Sequence, residues 1–161
     1  MRRVLGCGGL AAVIGLAMLL EYGWIGTGLS TTVTRLSPDE TLRARLEEHS
    51  PTWGMDRNFA IRLEYLAEGK SERIYGSPDE GRPAGTERLI WSKDGAWLLL
   101  VSRHCYVKED LFLDNGDQLY FLYHLPTRRA WCNAEMSSLP PIKAEQVRAI
   151  EFTEPVRLKG E

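Results

Sequence analysis

The sequence contains little that would support nucleic-acid binding or a common enzymatic activity. Lys and Arg number 20 against 22 Asp and Glu, so no basic excess is available to bind phosphate backbones. The chain also lacks the Gly-x-Ser-x-Gly, His-Glu-x-x-His, P-loop and Gly-x-Gly-x-x-Gly patterns. We therefore expect no nucleic-acid partner and no cofactor, and the sequence argues against an enzyme without excluding one.

Long apolar runs are also scarce, and the one that exists stands at the N-terminus. After Arg2 and Arg3 the chain carries no charge from Val4 to Leu20, which is just long enough to cross a bilayer. Residues 1–28 are therefore predicted to be an uncleaved signal-anchor, or a signal peptide cleaved near Gly26. The residues predicted for the membrane segment include Val4, Leu10, Ile14, Leu20 and Trp24.

Both interpretations of this segment predict the same location for the rest of the chain. The positive-inside rule keeps the two arginines in the cytoplasm and sends residues 29–161 across the inner or plasma membrane. An anchored chain would hold its domain outside the cytoplasm, whereas cleavage would release it as a secreted or periplasmic protein. We expect the membrane to be one partner and a protein to be another, and the sequence names no small-molecule ligand.

Cysteine is rare, with three in the chain, and only Cys105 and Cys132 lie in the exported part. An oxidising compartment favours a disulfide between them. A Cys105–His104 dyad is disfavoured because adjacent strand residues point to opposite faces. A zinc site formed by Cys105, Cys132, His104 and His124 is also disfavoured, because these residues lack the close ligand spacing that zinc sites show.

From residue 29 onward, short strand patterns separated by turns predict an all-β domain. Alternating apolar and charged residues in LRARLEEH and FAIRLEYL indicate half-buried strands, although PDETLRARLEEH also has helical features. The apolar runs WLLLV and LYFLY predict central strands covered on both faces. PIKAEQVR predicts a short C-terminal helix.

The expected fold is an antiparallel meander sheet or small two-sheet sandwich, with an N-terminal hydrophobic helix and the C-terminal segment covering an edge. The predicted boundaries are 1–28 for the membrane segment, 29–35 for a spacer and first strand, and 36–161 for the β-domain.

Two parts of this domain resemble each other. LSPDETLRARL and WSKDGAWLLLV both read as a large apolar residue, Ser, any residue, Asp, a turn position and a strand, and each is followed by a strand, a tight turn and a return strand. The two units span about 37–75 and 92–132. The Asp can accept backbone N–H groups in the turn, and Gly supplies a positive φ. The predicted turn residues are Ser37, Asp39, Ser92, Asp94 and Gly95.

The stretch WSKDGAWLLLVS resembles the W-S-x-D-G-x-x-L signature of TolB-like and WD40-like propeller repeats. Glu40 departs from it by standing where that family prefers Gly, and another SPDE, at 77–80, is followed by GRPAG and not by a strand. Two units are too few to close a propeller, which typically has about four to eight blades. The resemblance implies a scaffold that recognises a protein or a ligand, and no particular reaction.

Two further features suggest sites. Asp110, Asp114 and Asp117 could bind calcium, although a solvated hairpin turn also accounts for them. Most of the aromatic residues should be core, and a few on one face would suit stacking on sugars or contact with a protein. Three functional hypotheses remain: a binding or accessory module of the cell envelope, a secreted hydrolase or carbohydrate- or calcium-dependent enzyme, and a structural subunit of a membrane complex. The aromatic residues considered for such a binding face are Trp53, Trp91, Trp97, Trp131, Tyr65, Tyr106, Tyr120 and Tyr123.

Overall fold

The fold is taken from a computed structural model, which describes residues 29–49, 58–76, 87–103, 107–108 and 111–161. The predicted membrane segment 1–28 lies outside the described residues, as do Cys105 and Asp110. In the ranges that are described, no helix is both long enough and apolar enough to span a membrane.

The described chain forms two four-stranded antiparallel sheets, which confirms the all-β prediction. Within each sheet, strands that are consecutive in sequence are neighbours, so each sheet is a simple meander. The strand interpretation of LRARLEEH is also confirmed, because this segment pairs on both sides. Sheet A consists of β1 Leu29–Leu36, β2 Leu42–His49, β3 Asn58–Tyr65 and β4 Lys70–Gly76. Sheet B consists of β5 Arg88–Trp91, β6 Trp97–Ser102, β7 Gln118–His124 and β8 Arg129–Cys132.

The two sheets share one apolar core. Phe59, Ile61 and Leu63 of β3 belong to the same buried cluster as Leu98 and Leu100 of β6. Polar contacts also join the sheets: the Trp91 indole N–H donates to the Arg35 carbonyl at 3.4 Å. The hydroxyls of Tyr75 and Tyr120 lie 3.2 Å apart within the core. Sheet A and sheet B are therefore two layers of one domain.

Sheet B is buried on both faces, as the apolar runs predicted. Its second face packs on residues that follow β8, including Ile142, Val147, Phe152 and Leu158. A short helix, α1 Ala144–Arg148, lies in this C-terminal segment and buries Val147. The Thr153 N–H donates to the Trp91 carbonyl at 2.8 Å, so the segment also covers the β5 edge.

Sheet A packs one face on the shared core, and its other face carries charged side chains. Arg43 and Arg45 both bind Glu64, at 3.2 and 2.7 Å, and Arg62 binds Glu47 at 3.2 Å. Alternation along β2 and β3 sends these residues outward and their apolar neighbours into the core. A charged outer face does not suit packing against a further sheet, because the ions would lose their hydration.

Candidate functional site

The loop between β1 and β2 is a tight turn held by one serine and one aspartate. The Ser37 hydroxyl donates to Oδ1 of Asp39 at 2.6 Å and accepts the Leu42 N–H at 3.0 Å. The Thr41 N–H also donates to Oδ1 of Asp39, at 3.2 Å. Together these bonds satisfy polar groups at the point where the chain reverses direction.

The loop between β5 and β6 repeats this arrangement. The Ser92 hydroxyl donates to Oδ1 of Asp94 at 2.5 Å and accepts the Trp97 N–H at 2.8 Å. The Ala96 N–H donates to the same Oδ1 at 3.0 Å. The structure thus places Ser37 with Asp39 in the first turn and Ser92 with Asp94 in the second. The propeller resemblance itself stays a prediction, because a shared turn and strand order do not establish a propeller blade.

The two turns differ in strain at one position. The backbone φ is +58° at Glu40 and +70° at Gly95, a region that costs other residues about 1–2 kcal/mol. We expect Glu40→Gly to raise the free energy of unfolding by about 0.5 kcal/mol and Gly95→Ala to lower it by about 1 kcal/mol. A Cβ at Gly95 would meet Pro38 only at an ordinary 3.7 Å, so backbone strain alone accounts for the loss. Denaturant unfolding of both variants would test this, and a loss of stability in Glu40→Gly would contradict it.

The two turns differ in the hydrogen bonds that Oδ2 of the aspartate accepts. In the first turn, Oδ2 of Asp39 accepts the Thr41 hydroxyl at 2.8 Å. Ala96 stands at the matching position of the second turn and has no hydroxyl. Within the ranges that the structure describes, no group donates a hydrogen bond to Oδ2 of Asp94.

Asp94 is a carboxylate under ordinary conditions. Hydrogen bonds from the Ser92 hydroxyl and then the Ala96 N–H hold the pKa of Asp94 below its usual value. Because the bonds go to Oδ1, the charge is stabilised while Oδ2 stays available to accept a donor.

Partly exposed rings lie beside this turn on sheet B. The Trp97 ring is 4.1 Å from the His124 ring and 5.8 Å from the Trp131 ring, centroid to centroid. Trp97 and His124 are register partners on β6 and β7. In sheet A the corresponding pair is Leu42 and Tyr65, so the stacked rings belong to the second unit.

The C-terminal segment completes a cleft against the turn. This cleft, which we call the aromatic cleft, has a volume of about 270 Å³. The Lys93 N–H donates to the Glu151 carbonyl at 2.7 Å, and the two side chains pair at 3.2 Å. Both side chains are largely exposed, at 64% and 82%. The cleft is lined by Lys93, Asp94, Trp97, Ala149, Ile150 and Glu151.

A larger depression on the outer face of sheet A is a weaker candidate. Its volume is about 650 Å³, and it is open and lined by Thr34, Arg35, Leu36, Arg43 and Arg45. Two of its arginines are engaged by Glu64, at 3.2 and 2.7 Å. Their charge is therefore partly neutralised before any ligand arrives.

The remaining aromatic residues are mostly core, as expected. Trp91, Tyr120 and Tyr123 are buried, whereas Tyr65 is partly exposed and donates its hydroxyl to Glu72 at 2.6 Å. Trp53 and Tyr106 lie outside the described residues.

The proposed calcium ligands are not brought together by the described chain. Oδ2 of Asp117 accepts Arg88 Nη2 at 2.9 Å, and Oδ1 accepts Arg103 Nε at 2.5 Å. A cation would have to compete with both guanidinium groups for these oxygens. Asp114 is exposed, and the described ranges contain no group of three or more His, Cys, Asp or Glu side chains placed to hold a metal. The calcium hypothesis thus stays a prediction and carries no further argument.

Cys132 is buried at the end of β8, where its Sγ lies 3.6 Å from the Tyr75 hydroxyl. No disulfide joins residues within the described ranges. Because Cys105 and His104 lie outside them, the Cys105–Cys132 pairing stays a prediction.

Comparisons of the chain with family models, curated proteins and solved structures give no significant match. The site therefore has to be interpreted from its own residues. Sequence reasoning identified Asp94 and Trp97 but missed His124 as a stacking partner and missed Ile150 and Glu151 altogether. Aligning the two turns could have suggested Trp97 as a divergent position, but the C-terminal residues carry no such signal.

Proposed function

We propose that this protein is a membrane-tethered, extracytoplasmic binding module of the cell envelope, and that the aromatic cleft is its binding surface. One observation carries the proposal: the two turns share the hydrogen bonds to the serine hydroxyl and to Oδ1 of the aspartate, but only the second has an available carboxylate oxygen, Oδ2 of Asp94, beside packed aromatic rings. Hydrogen bonds to the Ser92 hydroxyl and to Oδ1 of Asp94 already hold the second turn, so Oδ2 of Asp94 is not used to hold it.

Other surfaces of the domain are less suited to binding. The outer face of sheet A carries paired charges, and the outer face of sheet B is covered by the C-terminal segment. The aromatic cleft combines the Trp97 ring and the aliphatic side chains of Ala149 and Ile150 with a few polar groups, which is typical of ligand sites. Trp is also the residue type most enriched among energetically important contacts in interfaces.

The position of the cleft fits a tether at the N-terminus. β1 begins at Leu29, directly after the predicted membrane segment, and runs to Leu36. Seven residue steps of about 3.3 Å place its far end about 23 Å away along the strand. Gly95 lies beside Pro38 at that far end, so the second turn is also remote from Leu29. An anchored chain would thus present the cleft away from its point of attachment.

Purification of the tagged full chain from its native membrane would test this proposal. We expect an intact Met1 on N-terminal sequencing and a stoichiometric partner after gentle detergent extraction. Trp97→Ala and Asp94→Asn should each strongly reduce retention of that partner, because the first removes the ring of the cleft and the second removes its carboxylate charge. Asp39→Asn is the matched control, since it perturbs the equivalent turn without touching the cleft.

Two results would count against the proposal. A new N-terminus near Leu29 together with a free monomer would contradict the proposal that the chain is tethered to the membrane. Equal retention of the partner by wild type and Trp97→Ala would contradict the proposal that the aromatic cleft is the binding surface.

A further inference from the structure

We propose that the aromatic cleft binds a single sugar ring of a glycan, with the ring stacked on Trp97 and a hydroxyl donating to Oδ2 of Asp94. This inference rests on the proposed function and specifies its ligand class. It follows from the shape, ring chemistry and charge of the cleft.

The Trp97 indole supplies the apolar platform. His124 stacks on this ring at 4.1 Å with an interplanar angle of 32°, and the cleft borders the same ring. The C–H groups on one face of a pyranose carry partial positive charge, which the negative face of an indole attracts. Contacts with His124 and Trp131 also restrict the indole, so less side-chain freedom is lost when a ligand binds.

The polar groups of the cleft suit hydroxyls, which both donate and accept hydrogen bonds. Oδ2 of Asp94 can accept a hydroxyl proton, and a bond to an ionised acceptor is stronger than a neutral one. Lys93 offers donors and Glu151 offers acceptors on the rim, where they pair with each other at 3.2 Å. Because both are exposed, this pair is weak and can exchange partners with a ligand hydroxyl.

A cationic ligand fits these residues less well. Asp94 is the one unpaired carboxylate in the cleft, and the Lys93 ammonium stands next to it in sequence and lines the same space. Because the charges of Lys93 and Glu151 offset each other, an arriving ammonium or guanidinium group would gain one attraction, to an exposed carboxylate that solvent screens. One face of Trp97 is also stacked on His124, so the several rings that surround a cation in an aromatic cage are lacking among the lining residues.

The size of the cleft limits the ligand to one ring. Its volume of about 270 Å³ lies just below the ~300–1,000 Å³ of clefts that bind drug-sized molecules. For one sugar unit alone, a contact of this size supports a dissociation constant on the order of 1 mM, so a glycan-bearing partner that stays bound through purification must also bind outside the cleft. The neighbouring units of a chain would lie outside the cleft.

The test uses the full chain in phosphatidylcholine nanodiscs, labelled with 5-fluorotryptophan and observed by fluorine NMR. Cellotetraose, maltotetraose, chitotetraose and mannotetraose are the probes, and N-acetyl-arginine amide is the cationic comparison. We expect at least one glycan to shift the Trp97 resonance at millimolar concentration, and the arginine derivative to leave it unchanged. The resonance is assigned with Trp97→Phe.

Two matched variants, Asp94→Asn and Asp39→Asn, test whether the glycan binds at the aromatic cleft. We expect Asp94→Asn to weaken glycan binding about tenfold and Asp39→Asn to leave it unchanged. No shift with any of the four glycans, or a shift with the arginine derivative alone, overturns the sugar assignment. Should the glycans fail while Trp97→Ala still loses its co-purified partner, the sugar assignment falls and the proposed function stands. If the glycans and the co-purification both fail, both proposals fall.

Discussion

Replacing Leu122 with Ala is expected to lower the free energy of unfolding by about 2–5 kcal/mol, and Phe121→Ala by about 3–5 kcal/mol. The two residues are neighbours on β7, point to opposite faces and are both fully buried. Phe121 packs in the core between the sheets, and Leu122 packs under the C-terminal segment. Each substitution leaves a cavity that the surrounding side chains fill only partly. Against a typical total stability of about 5–15 kcal/mol, either loss would populate the unfolded state measurably.

Alanine substitutions of two neighbouring residues on β3 should lower the free energy of unfolding by unequal amounts. Ile61 is fully buried, and Ile61→Ala should again cost about 2–5 kcal/mol. Arg62 is partly exposed and bonded to Glu47 at 3.2 Å, so Arg62→Ala should cost about 1 kcal/mol or less. Guanidinium unfolding of the full chain, followed by tryptophan fluorescence, measures all four variants. A cost below 1 kcal/mol for Leu122→Ala would contradict the burial of sheet B on both faces.

Replacing Asp117 with Ala is the second large effect that we expect, at about 2–4 kcal/mol. The Asp117 side chain is 5% exposed and accepts hydrogen bonds from Arg88, Arg103 and Asn115. These bonds link β5, the end of β6 and the turn before β7. Arg88 also contacts Glu154 at 3.3 Å, so the cluster extends to the C-terminal segment. Its loss would leave two guanidinium groups without their shared acceptor.

The stabilisation by Asp117 should depend on pH. Burial by itself would raise the pKa of Asp117, but hydrogen bonds from Arg103, Asn115 and Arg88 outweigh it and hold the pKa below its usual value. A folded-state pKa below the unfolded value of about 3.9 gives a stabilisation that is complete above that value. It is lost as the pH falls through the lower, folded-state pKa.

We therefore expect the free energy of unfolding of the wild type to fall as the pH drops below about 4, and Asp117→Asn to fall less steeply. Asp39 and Asp94 also have lowered pKa values, so part of the acid dependence should persist in the variant. Denaturant titrations between about pH 3 and 7 supply the measurement, with Asp114→Asn at an exposed position as the control. Identical pH profiles for Asp117→Asn and wild type would refute the role of this carboxylate.

Local features of the fold were predictable because they depend on residues close in sequence. Alternation along FAIRLEYL placed Phe59, Ile61 and Leu63 on one face, and the structure buries all three. The Ser-x-Asp pattern predicted both turns because a serine and an aspartate two residues apart can satisfy the local backbone. The apolar run WLLLV predicted a doubly covered strand, but it could not say which residues cover it.

The candidate site was predictable only in part. The comparison of the two units singled out Asp94 as a turn residue, whereas Trp97 was one of eight aromatic residues considered for a binding face. The stacking of Trp97 on His124 depends on the register between β6 and β7, which is set by the loop and by packing of the whole sheet. The charge density of the Asp114 hairpin suggested calcium, whereas tertiary contacts bring Arg88 and Arg103 to Asp117.

The sequence by itself indicated the all-β class, most of the strands and the two similar turns. These follow from alternation, turn chemistry and strand length, all of which act over a few residues. Only the tertiary structure decided that sheet B would be covered by the C-terminal segment and that a cleft would form beside Trp97. The reason is that Lys93 and Glu151 stand 58 residues apart, and a contact over such a distance depends on how complete layers pack. The second turn therefore acquires its cleft from a part of the chain that contains neither repeat.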